Sequence, residues 1–257
     1  MKLSDFIVLV DTKARMNLKA EASKLYLSFL WWIIEPILFV LAFYFVFGIL
    51  LKTGRADFLL FLMCAKIPYM WFSKAVSSAA GSIAGSRGII AQVDIPKTIF
   101  PYATIQVTAY KEIPVMLMLM GLCMIYGYMP GWDWLWLIPL IFVLYLLIVL
   151  FSLIFALLVC YADDVRMLIS MLMLFLMFVS GIFFDITDIS QPMQGYLMIF
   201  NPLTFVCDSY RKVLMHKGSY SMVHLWWLIA FCLTGIAIMH FVYRKLSRSI
   251  ASRVVNA

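Results

Sequence analysis

The chain has 257 residues, 65% of them apolar and only 13% charged, with a net charge of +7 and a mean hydropathy of +1.00. Soluble domains are typically about 45–50% apolar and about 25% charged, so a soluble enzyme, a nucleic-acid-binding module and a disordered chain are excluded. The composition is that of an all-α integral membrane protein, read as one transmembrane domain over 1–257.

The first segment, 1–25, places Leu3, Phe6, Ile7, Val10, Ala14, Leu18 and Leu25 at spacings of three and four, opposite Asp5, Lys13, Asn17 and Lys24. This pattern predicts an amphipathic helix lying in the membrane interface with its basic side toward anionic headgroups. Such a helix packed on its own protein is the alternative. No short apolar core followed by a small-residue cleavage site opens the chain, so a signal peptide is not expected.

A span needs about 20 mostly apolar residues, and six stretches meet that length: 29–51, 58–80, 104–128, 135–160, 167–186 and 224–243. Lys2, Lys13, Arg15, Lys19 and Lys24 precede the first span, and Arg244, Lys245, Arg248 and Arg253 follow the last. Loop 81–103 adds Arg87 and Lys97, and loop 161–166 adds Arg166. The opposite side carries Lys52, Arg55, Arg211, Lys212 and Lys217, so the positive-inside rule places both termini in the cytoplasm. Segment 187–223 is too long for a plain loop. Pro192, Pro202 and Gly218 punctuate two short amphipathic stretches there, which predicts a re-entrant helical segment covered by protein or a water-filled cavity.

Cys64, Cys123, Cys160, Cys207 and Cys232 are odd in number and mostly inside apolar runs, the pattern of buried thiols. No H-E-x-x-H occurs, and His216, His224 and His240 are far apart. The adjacent Asp163 and Asp164 point about 100° apart on a helix, which does not make a paired-aspartate site. No phosphate-binding G-x-x-x-x-G-K-[ST] occurs either, and GSIAGSRG from Gly81 to Gly88 reads as a flexible exit from the second span. Energy for any work the chain does must come from a partner or an ion gradient.

Several segments resemble the permeases of type-2 ABC exporters, in particular those that export bacterial O-antigen, capsule and teichoic acid. The amphipathic start followed by Leu30, Trp31 or Trp32, Glu35 and Pro36 is similar to the family's entry to its first span. Asn201, Pro202, Leu203 and Arg211 resemble the family's Asn-Pro-Leu and following arginine before the last span, and Asp164 stands on the aspartate between spans four and five. Two positions depart from the pattern: Asp163 replaces the usual arginine, and Gly181-Ile182 replaces the usual Pro-Ile. The resemblance implies a homodimer with two copies of a separate ABC ATPase, in the bacterial inner membrane, passing a lipid-linked polysaccharide between the two permeases. No cofactor belongs to this chain, and ATP and magnesium act at the partner. A permease for a small amphiphile or drug shares the architecture, and a membrane-embedded enzyme or scaffold is the alternative of another class.

Sugar rings have apolar C–H faces that stack on aromatics, so a sliding path needs many weak contacts. Phe29, Trp32, Pro36, Phe39, Phe43 and Phe47, with Trp31 beside them, form an aromatic stripe on span one. Met171, Phe175, Phe178 and Ile182 do the same on span five. In loop 81–103, Ile89, Ile90 and Val93 share a face suited to a groove on the ATPase, with Arg87, Asp94 and Lys97 at the rim. Asn201, Pro202 and Arg211 are expected to form an outer gate. Charges inside spans cost about 2.5–3.5 kcal/mol unless paired or wet. Glu35 lies roughly 9 Å into span one, at a depth similar to Lys74 on span two, which predicts a Glu35–Lys74 pair. Glu112 is the competing partner for Lys74, and snorkelling outward is an alternative open to Lys66.

Overall fold

The computed structural model describes residues 3–24, 28–50, 57–215 and 218–256. It is helical throughout, and no strand occurs among the described residues. Helix α1 (Leu3–Lys24) is followed by α2 (Ser28–Phe43), which continues as a π-helical stretch over Tyr44–Leu50. Then come α3 (Phe58–Ala80), the short α4 (Arg87–Gln92), α5 (Ile99–Ile125) and α6 (Leu137–Tyr161). Helices α7 (Val165–Val179), α8 (Gln191–Phe200), α9 (Pro202–Leu214) and α10 (Met222–Asn256) complete the chain.

Helix α3 is the axis. Every residue from Leu60 to Phe72 is buried, because α5, α6 and α9 pack around it and α2 and α7 flank it. Helix α10 lies against α6, where a Cβ on Gly235 would meet Leu150 Cδ1 at 2.7 Å. The absent side chain lets the two helices approach closely. All five cysteines are buried, and none is in a disulfide.

The bundle has two distinct ends. At one, α1 crosses the start of α5: Phe6 meets Tyr102 edge-on at 5.6 Å, Lys13 lies 5.2 Å from the Phe100 ring, and the Tyr110 hydroxyl donates to Asp11. The close of α10 joins the same end, where Arg253 donates to the Tyr161 carbonyl. At the other end, the Tyr128 hydroxyl donates to Asp57, and that of Tyr220 to the Trp136 carbonyl. Helix α1 is therefore docked through Val10 and Ala14, while Ile7, Val8 and Met16 stay exposed. Its apolar residues divide between the protein and the outside.

Among the described residues, four helical stretches are long and apolar enough to cross a membrane: Phe58–Ala80, Ile99–Ile125, Trp132–Tyr161 and Met222–Val254. Within the expected first span, the apolar helix found is the shorter Ile34–Val46, and in the fifth it is Val165–Val179. At about 1.5 Å per residue, the 15 residues of α7 reach only about 22 Å, less than the ~30 Å hydrocarbon core. The third span starts earlier than expected, at Ile99, and α10 runs on past the expected sixth span through the basic residues that follow it.

Helix α7 stops where it does because Gly181 takes a φ of +72°, a left-handed conformation that ends helices and favours glycine. Asp185 then accepts from the backbone and hydroxyl of Thr187, closing the next turn. Segment 187–223 forms two short helices. Pro192 and Pro202 sit in their first turns, and Asn201 Oδ1 caps α9 by accepting from the Leu203 backbone. Helix α8 is largely exposed, whereas α9 is almost wholly buried.

Candidate functional site

Helices α2 and α7 border one open side of α3. Their outward residues are large and apolar: Trp31, Phe39, Met171, Phe175 and Phe178 are all exposed, the last two at 63% and 55%. Phe39 stacks on Phe43 at 6.5 Å, Phe43 meets Phe183 at 5.3 Å, and Phe183 stacks on Phe178 at 5.4 Å. The two predicted stripes thus join into one file of rings running from α2 to α7. Phe183 is the link, and the sequence periodicity did not mark it because it lies past the end of α7. Pro36 and Ile182 leave the expected stripes: both are buried. For Ile182 the helix has already ended, so the i+4 spacing no longer selects a face. The side chains of Phe29, Trp32 and Phe47 lie outside the described residues.

Below this file, toward the α1 end, the open side becomes polar. Lys74 Nζ lies 2.6 Å from Glu35 Oε2, and both side chains are nearly half exposed. Lys74, Ser77 and Ser78 on α3 and Ser170 on α7 are exposed nearby along the same helices. The carboxylate of Glu112 keeps Lys74 as a charged neighbour, and its Oε1 is buried without a hydrogen-bond partner among the described residues.

Lys66 does not take the outward alternative. It is buried rather than snorkelling, because its place eight residues into α3 is walled by α2 and α7. Its ammonium lies 4.9 Å from the Phe39 ring and 5.6 Å from Tyr69, and it contacts the Met177 sulfur. Ring quadrupoles take the place of a carboxylate there. The Tyr69 hydroxyl donates to the Met173 carbonyl and ties α3 to α7.

Asn201, Pro202 and Arg211 converge, but inside the protein. Asn201 Nδ2 donates to Ser180 Oγ at 2.9 Å, and the Arg211 guanidinium donates to the carbonyls of Phe61, Gly181, Ile182 and Phe184. Its carbon lies 3.6 Å over the Phe61 ring. Cys207 Sγ reaches the Ala65 carbonyl, seven residues into α3, so α9 extends about 10 Å along the bundle from the start of α3. Arg211 and Asn201 latch α9 to α3 and to the turn after α7. Arg211 is therefore a buried anchor, not a loop charge. Lys52, Arg55 and Lys217 lie outside the described residues.

At the α1 end, α4 presents Ile89 at 42% and Val93 at 51% exposure, with Arg87 and Asp94 exposed beside them. Two expected contacts turn inward. Ile90 is buried where α4 packs on α10, and Lys97 is buried with its ammonium on Asp94 Oδ1 and the Ile95 carbonyl.

The chain is a helical bundle with helices long and apolar enough for a membrane, an open aromatic side and the small helix α4 at its basic end. The ABC-2 type transporter family matches residues 26–215, and the chain belongs to that family. It is 23% identical to the O-antigen export system permease protein RfbA of Klebsiella pneumoniae, over 93% of this chain and 92% of that one. It is 24% identical to the protein of the same name from Myxococcus xanthus, over 85% and 88%. It is 26% identical to the polysialic acid transport protein KpsM of Escherichia coli, over 92% and 93%.

Proposed function

We propose that this chain is the channel-forming permease of an ATP-driven exporter that moves lipid-linked polysaccharide, O-antigen or capsule, across the bacterial inner membrane. It works as a homodimer with two copies of a separate ABC ATPase, which binds ATP and magnesium. The names of its relatives support this substrate class, and nothing favours a small amphiphile, a scaffold or an enzyme.

The observation that carries the reading is the open α2–α7 side. Two such sides facing each other across a dimer enclose a path, with the ring file Phe39–Phe43–Phe183–Phe178 as a sliding surface and Glu35–Lys74 at one mouth. Aromatic stacking is sequence-tolerant and individually weak, as sliding requires. On this reading the chain has six spans, two of them built on the shorter apolar helices Ile34–Val46 and Val165–Val179, and both termini are cytoplasmic. The gathering of α1, the close of α10, Arg87, Lys97 and Arg166 at one end supports that orientation. Helix α1 then lies in the cytoplasmic interface, α4 within 81–103 couples to the ATPase, and 187–223 re-enters from outside. The outer gate is the exposed α8 with the turn after α7, moving on the anchor formed by Asn201, Pro202 and Arg211.

Deleting the gene tests the reading. Lipid-linked polymer should accumulate on the cytoplasmic side and disappear from the surface, and the wild-type gene should restore it. Unchanged surface polymer in the deletion strain overturns the reading.

A further inference from the structure

On the side of the bundle away from the α2–α7 face, helices α1, α5, α6 and α10 enclose a cavity of about 1100 Å³. Tyr102, Tyr145 and Tyr243 line it, with Lys97, His240 and Arg244 among them. It opens near the α1 end. Tyr102 and Gln106 lie within the first eight residues of α5, about 5 Å and about 10 Å from that helix end. This is the depth of the headgroup zone beside the hydrocarbon core, and the amphipathic α1 forms one wall.

The polar groups of the cavity are unbalanced toward donors. Both of its carboxylates already have cations: Asp11 pairs with Arg15 at 2.8 Å, and Asp94 with Lys97 at 3.1 Å. Arg244 has no ion pair or hydrogen bond among the described residues. Gln106 is engaged only through its oxygen, by the Tyr145 hydroxyl at 3.3 Å, which leaves its amide donors open. The Tyr102 hydroxyl has ring neighbours, Phe6 and His240, but no hydrogen-bond partner there. Guanidinium, ammonium, amide and hydroxyl donors converging on one space suit an acceptor-only, anionic group, and guanidinium–phosphate pairs are among the strongest such contacts. Ile7 and Val10 carry the lining on into apolar surface.

We propose that this cavity binds the phosphodiester headgroup of a bilayer phospholipid, with Arg244 and Lys97 on the phosphate and the acyl chains leaving past Ile7 between α1 and α10. The occupant is a resident lipid that ties α1 to α10, separate from the cargo path. The proposal does not rest on the identity of the cargo.

The test is native mass spectrometry of the full-length chain in detergent, titrated with phosphatidylglycerol. Arg244→Glu should weaken lipid retention about tenfold, the loss of one charge-assisted contact, and Ser247→Trp, which fills the cavity, should do the same. Arg248→Glu, on the same helix but outside the cavity, should leave retention unchanged. Unaltered retention in both cavity variants overturns the proposal, as does equal loss in the Arg248 variant. Displacement of the lipid by millimolar inorganic phosphate also overturns it, in favour of a free-phosphate site.

Discussion

Lys74 on α3 and Glu35 on α2 meet at 2.6 Å, joining the axis of the bundle to one of the two helices that flank its open side. Both side chains are nearly half exposed, so the pair lies between the ~0–1 kcal/mol of a surface ion pair and the ~3–5 kcal/mol lost when a buried pair is broken. Glu35→Gln and Lys74→Met should each lower the yield of monodisperse protein on size-exclusion chromatography. The exchanged variant, Glu35→Lys with Lys74→Glu, should recover it. An exchanged variant no better than the worse single one rules out the pairing as a stabilising contact. Recovery of folding without export places the charges at the cargo's entry.

Arg211 is the strongest structural commitment in the chain. Its guanidinium serves carbonyls from α3 and from the turn after α7, at about 1–3 kcal/mol for each buried carbonyl left without a donor. Arg211→Ala should abolish folded protein, and Arg211→Lys should recover only part, since an ammonium lacks the planar fork. Gly181→Ala should also destabilise, because its φ of +72° is unfavourable for alanine and a Cβ would meet Ile186 at 3.2 Å. Thermal unfolding followed by tryptophan fluorescence is the measurement. A stable Arg211→Ala protein would contradict the anchor.

The exposed side of α4 makes a prediction that separates docking from folding. Ile89→Asp with Val93→Asp should abolish co-purification of the partner ATPase while insertion and yield stay normal. Ile90→Asp should instead lower yield, because that side chain is buried against α10. Normal co-purification with the double variant excludes α4 as the coupling element.

These contrasts show where the sequence was readable. Apolar run length located α3, α5, α6 and α10 because a span must be long whatever it packs against. Depth counting found Glu35 and Lys74, since two charges at one level of adjacent antiparallel helices have few other partners. What the sequence did not carry was direction around a helix. Ile90, Lys97 and Pro36 satisfy the periodicity of an outward face, yet neighbours far along the chain cover them. Lys66 is equally ambiguous: its stem is long enough to snorkel, but α2 and α7 close over it and rings receive the charge. Phe183 is illegible for another reason. It joins the aromatic file from a turn whose path is set by Gly181 and Arg211, and neither has a periodic signature.

The most direct test of the proposed path is photo-cross-linking during export. A photoreactive phenylalanine analogue replaces Phe39, Phe178 or, as a control, Phe231, which is exposed on α10 away from α2 and α7. With the ATPase present and ATP supplied, positions 39 and 178 should cross-link to lipid-linked polysaccharide and position 231 should not. Cross-linking at 231 with none at 39 or 178 would contradict the assignment of the α2–α7 face as the transport path.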